Sequence, residues 1–125
     1  MQRSAILGSF AAISLLSALP GALPVAASAP FDGNWSVLVV TDSGGCDRAY
    51  RYALRIANGQ VSYDDSAFTV SGHVDPRGHV KVFIGAGGQS ANGSGQLSGD
   101  SGQGRWKGQS STSACSGHWE AQRRG

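Results

Sequence analysis

The chain has 125 residues and a nearly balanced charge, with 10 Lys and Arg residues against 8 Asp and Glu residues. No stretch of the sequence concentrates the basic residues, which argues against a nucleic acid or an anionic membrane surface as partner. The length suits a single small domain, and we expect this domain to be a monomer.

Residues 1–29 have the features of a secretory signal peptide. Arg3 supplies a positive charge near the start, and an uncharged run rich in Ala, Leu and Ile follows it. The small residues after this run allow cleavage after Ala27 or after Ala29, and no Cys stands there to carry a lipid. We therefore expect an exported protein, periplasmic or extracellular, with a mature domain at 30–125 and no stable membrane anchor.

The mature domain contains two cysteines, Cys46 and Cys115. An even number of cysteines in an exported chain predicts a disulfide, because exported proteins fold in an oxidising compartment. The bridge would close a loop of about 70 residues and stabilise the domain by roughly 4 kcal/mol in the chain-entropy account. Such a crosslink matters because a domain of this size buries only a thin core.

Short segments of alternating apolar and polar residues recur along the mature chain between turn residues, and none has a helical period. The pattern predicts eight strands, at 35–41, 48–56, 60–63, 68–74, 80–84, 91–97, 102–108 and 114–121. An antiparallel up-and-down meander of about eight strands closes into a small barrel without exposed edges. The sequence therefore predicts an all-β barrel, with an open β-sandwich as the alternative.

The turn residues predict how the first strands pair. Asn58 and Gly59 suit a type I′ hairpin turn, because both central residues of that turn have φ above zero. This turn places Ile56 opposite Val61. The next turn, read as Asp-Asp-Ser-Ala, would then place Val61 opposite Val70, so that one apolar face continues from strand to strand.

The same apolar face continues into the later strands. A bulge at Gly78, after the type I turn Asp-Pro-Arg-Gly, would pair Val74 with Val80. A turn at Ser-Gly-Asp-Ser further along the chain would place Trp106 opposite Gly93. Agreement between several independent turns is the strongest indication of the fold.

Every tryptophan follows a glycine at a spacing of two residues, in the pairs Gly33–Trp35, Gly104–Trp106 and Gly117–Trp119. Residues two apart on a strand share one face of the sheet. Each glycine is therefore expected to leave room for an indole ring to lie over bare backbone. Glycine at such positions also permits the strong coiling of a small closed barrel.

The barrel interior is the candidate binding site, and a small apolar or aromatic molecule is the candidate ligand. Its predicted lining is aromatic and consists of Trp35, Tyr50, Tyr52, Tyr63, Phe68, Trp106 and Trp119. Space beside them would come from Gly72, Gly93, Gly95 and Gly104. In the alternative, the aromatic side chains fill the barrel and the protein is a structural or surface-interaction protein. A third possibility is a periplasmic protease inhibitor that binds an exported protein.

No catalytic residue, cofactor or metal is predicted. The string Gly-Asp-Ser-Gly at 99–102 occurs around the nucleophile of chymotrypsin-like proteases, but this chain is about half as long as their fold. A second Asp-Ser-Gly phrase at 42–44 indicates turn chemistry in both places. The three histidines, His73, His79 and His118, are dispersed along the chain without zinc-ligand spacing.

The stretch Phe-Asp-Gly-Asn-Trp at 31–35 resembles the Gly-x-Trp opening of calycins, the superfamily of lipocalins, fatty-acid-binding proteins and avidins. In that superfamily a basic residue near the end of the last strand packs over the first tryptophan. Arg123 matches this role over Trp35 and would close the barrel, with Arg124 as the second choice. The chain lacks the second lipocalin loop motif and the polar biotin contacts of avidins.

Two further resemblances concern the whole chain. A family of periplasmic metalloprotease inhibitors also has a small eight-stranded barrel with a disulfide, but its N-terminal inhibitory segment is not recognisable here. The chain also resembles uncharacterised small exported proteins of alphaproteobacteria. That resemblance implies an exported β-protein and no particular activity.

Overall fold

The computed structural model describes residues 29–125, so the predicted signal peptide, apart from Ala29, lies outside the described residues. Eight antiparallel strands pair in chain order and close into one barrel. Their bounds are β1 Gly33–Ser43, β2 Ala49–Ala57, β3 Gln60–Ser62, β4 Thr69–Val74, β5 His79–Ala86, β6 Gln89–Ser98, β7 Ser101–Gln109 and β8 Ala114–Arg123. The prediction of an all-β, up-and-down barrel is confirmed, and the open sandwich is wrong.

Within 29–125 there is no helix that is long and apolar enough to cross a membrane.

The barrel has two different ends. At the closed end lie both ends of the described chain and the turns at 58–59, 75–78 and 99–100. At the mouth lie the connections 44–48, 63–68, 87–88 and 110–113. Successive connections fall at opposite ends because neighbouring strands of an up-and-down barrel run in opposite directions.

The apolar core lies near the closed end. Side chains alternate between the two faces of each strand, and the outward positions of β2 and β7 are exposed. The most deeply buried inward residues are Trp35, with 2% of its surface exposed, Leu97 with 3% and Ala121 with 3%. The buried cluster is completed by Ile56, Val61, Val74, Val80 and Trp119.

Three of the predicted hairpin registers are confirmed, and in the last of them Trp106 lies opposite Gly93. Asn58 and Gly59 have φ values of 53° and 75°, as a type I′ turn requires, and Ile56 lies opposite Val61. Farther along, Gly78 has a φ of 89° and bulges, so that Val74 pairs with Val80. The side chain of Asp75 supports this turn by accepting hydrogen bonds from the backbone N–H groups of residues 77 and 79, both at 2.9 Å.

The predicted register between β3 and β4 is wrong by two residues. Val61 lies opposite Gly72 rather than Val70, and the connection between the strands spans 63–68 instead of a four-residue turn. The backbone N–H of Val74 donates to the carbonyl of Gly59 at 2.8 Å, which extends the β4 pairing to the preceding hairpin turn. Because a shift of two residues preserves the facing, the apolar face stays continuous.

Strands β1 and β8 close the barrel, with Trp35 opposite Arg123 and Val39 opposite Trp119. The predicted disulfide is confirmed and joins Cys46, in the connection after β1, to Cys115 on β8, with 6.2 Å between the Cα atoms. It therefore ties a loop of the mouth to the barrel wall. The bridge is consistent with folding in an oxidising compartment.

Candidate ligand-binding cavity

A cavity of about 400 Å³ occupies the barrel interior between the buried core and the mouth. This volume lies in the range of small-molecule sites, about 300–1,000 Å³, whereas packed interiors rarely contain voids larger than a water molecule. Exposure of the lining rises along the barrel, from 3% at Leu97 to 47% at Tyr50 in the mouth. The interior is therefore reached through the mouth and is not filled by side chains.

The middle of the cavity is lined by aliphatic side chains, which the sequence interpretation left out. They belong to inward positions of β1, β2, β5 and β6, two pairs of neighbouring strands, namely Val37, Val39, Leu54, Val82, Ile84 and Ala91. These residues alternate with outward-facing residues along each strand. This alternation is visible in the sequence and could have identified them. They make the cavity wall apolar, so that an apolar ligand would be stabilised there by leaving water.

Six of the seven aromatic residues predicted to line the interior do so, namely Trp35, Tyr50, Tyr52, Phe68, Trp106 and Trp119. Tyr63 does not line it, because β3 ends at Ser62 and the inward–outward alternation ends with it. The Tyr63 ring packs edge-on against Phe68, with 5.3 Å between ring centroids. It contacts the lining residue Phe68 and does not itself line the cavity.

Aromatic contacts hold the mouth together. Tyr52 packs against Tyr50 at 4.7 Å between ring centroids and edge-on against Phe68 at 6.1 Å. Burial raises the pKa of Tyr52, with smaller contributions from Tyr50, Tyr63 and the charge of Asp47. The Tyr52 hydroxyl therefore stays protonated at neutral pH and keeps its hydrogen-bond donor.

The indole of Trp119 passes over a neighbouring strand. Its Nε1 donates to the carbonyl of Ser94 on β6 at 3.2 Å, although β7 lies between β6 and β8. The ring crosses β7 at Gly104, where a Cβ atom would lie 2.5 Å from two ring atoms of Trp119. Only a residue without a side chain leaves room for this crossing.

Trp106 makes the reciprocal crossing in the other direction. Its Nε1 donates to the carbonyl of Val40 on β1 at 3.0 Å, and its ring passes over Gly117 of β8. Each of these indoles therefore lies over the glycine that precedes the other tryptophan, Trp119 over Gly104 and Trp106 over Gly117. Indoles do lie over bare glycine at Gly104 and Gly117, but the expected pairing is wrong, because each glycine makes room for the tryptophan of the adjacent strand and not for the one two residues after it.

The space expected beside the glycines is mostly occupied. The ring of Trp119 covers Gly95 as well as Gly104, and the side chain of Val82 packs over Gly72. Of the four glycines expected to leave space, only Gly93 lines the cavity. The free volume instead lies between the aliphatic walls, because the indoles lie flat against the strands that they cross.

Trp35 lines the closed end of the cavity, and Arg123 packs over it. The indole Nε1 of Trp35 donates to the carbonyl of Phe31 at 2.9 Å, and the Arg123 guanidinium lies 5.0 Å from the centroid of the Trp35 ring. Arg123 also donates to the carbonyls of Asp32, at 2.7 Å, and Gly99, at 3.1 Å. One side chain thus links the start of the described chain to the β6–β7 turn.

The mouth contributes the polar part of the lining, which the sequence interpretation missed. It consists of Thr41, Asp47, Gln89, Ser90 and Gln109. The buried hydroxyl of Thr41 donates to the backbone carbonyl of Asp47 at 2.6 Å. Asp47 follows Cys46 directly, so the predicted disulfide was the one signal in the sequence that could have placed it at the mouth.

The Gly-Asp-Ser-Gly string lies at the β6–β7 turn of the closed end and does not line the cavity. The carboxylate of Asp100 accepts a hydrogen bond from Nε of Arg123 at 2.8 Å, and Ser101 begins β7. The string therefore serves as a turn that holds Arg123.

The histidines lie on the outer surface. His118 Nδ1 lies 2.8 Å from a carboxylate oxygen of Asp42, and His79 Nδ1 lies 2.9 Å from Asp75. Backbone and side-chain hydrogen bonds from His79 lower the pKa of Asp75. In the part of the chain that the structure describes, no three His, Cys, Asp or Glu residues come together as a metal site would require.

A second concavity lies on the outer face of the barrel. Lys81, Arg105 and Lys107 line it together with Asn92 and with Phe83, which is 37% exposed. The basic residues are scattered in sequence, and strand pairing brings them to one face. This surface is separate from the mouth.

Comparison with known proteins adds no relative. No protein-family model matches the chain, and neither does any curated protein or any solved structure. The resemblance to calycins stays a prediction from residues near the two ends of the sequence. The cavity, its lining and its mouth are the basis for a function.

Proposed function

We propose that this protein is an exported, non-enzymatic binding protein that holds one small apolar or aromatic ligand inside its barrel. The observation that carries the proposal is the cavity of about 400 Å³ with apolar walls and an accessible mouth. Burial of apolar ligand surface in such a site is favourable by about 25 cal/mol per Å² before the costs of association. A barrel filled by its aromatic residues would not leave this volume.

The lining supports binding without chemistry. Among the residues that the structure describes, it contains no histidine, and its one cysteine, Cys46, is held in the disulfide. Serine or threonine needs a nearby base to act as a nucleophile, and the only carboxylate among the described lining residues belongs to Asp47 at the mouth. We propose a calycin-like barrel on the same grounds, because an up-and-down meander closed by Arg123 over Trp35 suits that architecture.

An uncharged fluorescent probe, N-phenyl-1-naphthylamine, tests the proposal. We expect saturable one-to-one binding with a rise in probe fluorescence and a change in tryptophan emission, because three tryptophans line the cavity. Ala91→Phe places a ring inside the cavity and should weaken binding by at least about tenfold, or about 1.4 kcal/mol. Ala53→Phe makes the same substitution at an exposed outward position and should leave the affinity within about twofold.

Thermal unfolding of both variants accompanies the titration, so that loss of binding is separated from loss of fold. Absence of saturable binding in the wild type would refute the proposal. Equal affinities for folded Ala91→Phe and Ala53→Phe would place the probe outside the barrel and would refute it as well.

A further inference from the structure

One charged residue lines the cavity among those described, and it is Asp47. Its side chain is exposed at the mouth, where the rest of the polar lining is uncharged. The basic residues of the barrel lie elsewhere, with Lys81, Arg105 and Lys107 lining the outer concavity. Among the described residues, the lining itself therefore presents one negative charge and no positive one, whereas Arg48, Asp64 and Asp65 lie in the mouth loops outside the lining.

Asp47 is held in position by its neighbours in the chain and across the barrel. Cys46, directly before it, is bridged to Cys115 on β8. The hydroxyl of Thr41 donates to the carbonyl of Asp47 at 2.6 Å, and the N–H of Thr41 donates to the carbonyl of Arg48 at 2.8 Å. Since the backbone is tied on both sides, little ordering is needed for the carboxylate to contact a ligand.

Aromatic rings line the same mouth as this carboxylate. Tyr50 and Tyr52 line the same mouth with 4.7 Å between their ring centroids, and the charge of Asp47 contributes to the raised pKa of Tyr52. The faces of aromatic rings carry negative electrostatic potential and attract organic cations. The carboxylate and the two rings therefore favour the same kind of ligand group.

We propose that the cavity selects molecules with an apolar or aromatic body and one positively charged amine at the end that remains in the mouth. This inference rests on the proposed binding function and specifies its ligand class. The body would lie among the aliphatic walls, and the ammonium would lie between Asp47 and the Tyr50–Tyr52 pair. A carboxylate in the same place would be repelled by Asp47 and would find no cation in the lining.

Three ligands with the same tail test this selection, namely octylamine, octanol and octanoate, each used to displace N-phenyl-1-naphthylamine at neutral pH. We expect octylamine to bind at least about fivefold more tightly than octanol at low salt, since exposed ion pairs and cation–π contacts are modest. Octanoate should bind most weakly. Raising the salt concentration to about 0.5 M should reduce the differences in affinity among the three ligands, because salt screens interactions between exposed charges.

Asp47→Asn should remove the preference for octylamine over octanol, measured as the ratio of the two affinities within that variant. Asp64→Asn is the matched control, because Asp64 is an exposed carboxylate of a mouth loop that does not line the cavity. Equal binding of octylamine and octanol to the wild type, or a preference that survives in Asp47→Asn, would overturn the inference alone. Failure of the uncharged probe to bind would instead overturn the proposed function itself.

Discussion

Arg123 makes more contacts with the closed end than any other single charged side chain of the described barrel. Its guanidinium lies over Trp35 and donates to backbone carbonyls on both sides of the seam between β1 and β8. The side chain is 20% exposed, so its contacts are only partly screened by water. Its ion pair with Asp100 is weaker, because that carboxylate side chain is 81% exposed.

Arg123→Ala is expected to lower the free energy of unfolding by about 1–2 kcal/mol, through loss of the cation–π contact and of its hydrogen bonds. Arg124→Ala is the control, since Arg124 is exposed and its bond to Asn34 comes from the backbone, which the substitution keeps. That variant should stay within about 0.5 kcal/mol of wild type. Urea unfolding curves measure both, and equal midpoints would mean that Arg123 contributes nothing as a clamp.

At the scale of strands, the indoles of Trp106 and Trp119 connect the four strands β6, β7, β8 and β1, and they therefore span the seam between β8 and β1. Trp119 links β8 to β6, and Trp106 links β7 to β1. Each hydrogen bond joins strands that are not neighbours in the sheet, so it adds to the ladder bonds between adjacent strands. The glycines under the rings permit this arrangement, which explains why this part of the chain is rich in both residue types.

Gly104→Ala should therefore destabilise the barrel by about 1–3 kcal/mol, because the added methyl group would overlap the Trp119 ring and force it from its position. Gly88→Ala offers a matched comparison at a position with no atom within 4 Å of the added Cβ. It should change stability by no more than about 0.5 kcal/mol.

Urea unfolding and near-ultraviolet circular dichroism of the two glycine variants give the measurement. The dichroism signal of the tryptophans should change in Gly104→Ala and remain as in wild type in Gly88→Ala. If both variants unfold at the wild-type midpoint, the crossing does not constrain the ring, and the packing account of the Gly–Trp pairs fails.

For the whole molecule, the disulfide compensates for an interior that is partly empty. The apolar core is concentrated at the closed end, and the half near the mouth surrounds a cavity of about 400 Å³. Fewer core contacts are available there to hold loop 44–48 in place. The Cys46–Cys115 bridge is located at this end, where packing contributes least.

Replacement of both cysteines by serine should lower stability by about 4 kcal/mol, since the bridge closes a loop across 69 residues of sequence. Urea unfolding of wild type and double variant measures the difference. Mass measurement before and after reduction by a thiol reagent, with an expected gain of two hydrogen atoms in wild type, establishes the bridge independently. An unchanged urea unfolding midpoint in the double cysteine variant would show that packing keeps loop 44–48 in place without the disulfide.

Local sequence determined the strands, most of the hairpins and the disulfide. The conformation of a turn depends on residues within a few positions, so Asn58-Gly59 and Gly78 encode their turns directly. Alternation along each strand determines which side chains face inward. In a meander of eight such segments the first and last strands are the two edge strands. Pairing of these two strands leaves no exposed edge and closes the barrel.

Other features depended on how distant strands meet, and only the tertiary structure decided them. The register of β4 depends on a longer connection and on a bond to Gly59, and the indoles lie over glycines of strands that approach only on folding. Whether the inward aromatic residues fill the barrel depends on the volume that they occupy in three dimensions. The alternation of inward and outward positions along a strand identifies these residues but does not give that volume. The single charge of the described cavity lining, Asp47, likewise emerges only when strand pairing and the disulfide bring loop 44–48 against the cavity.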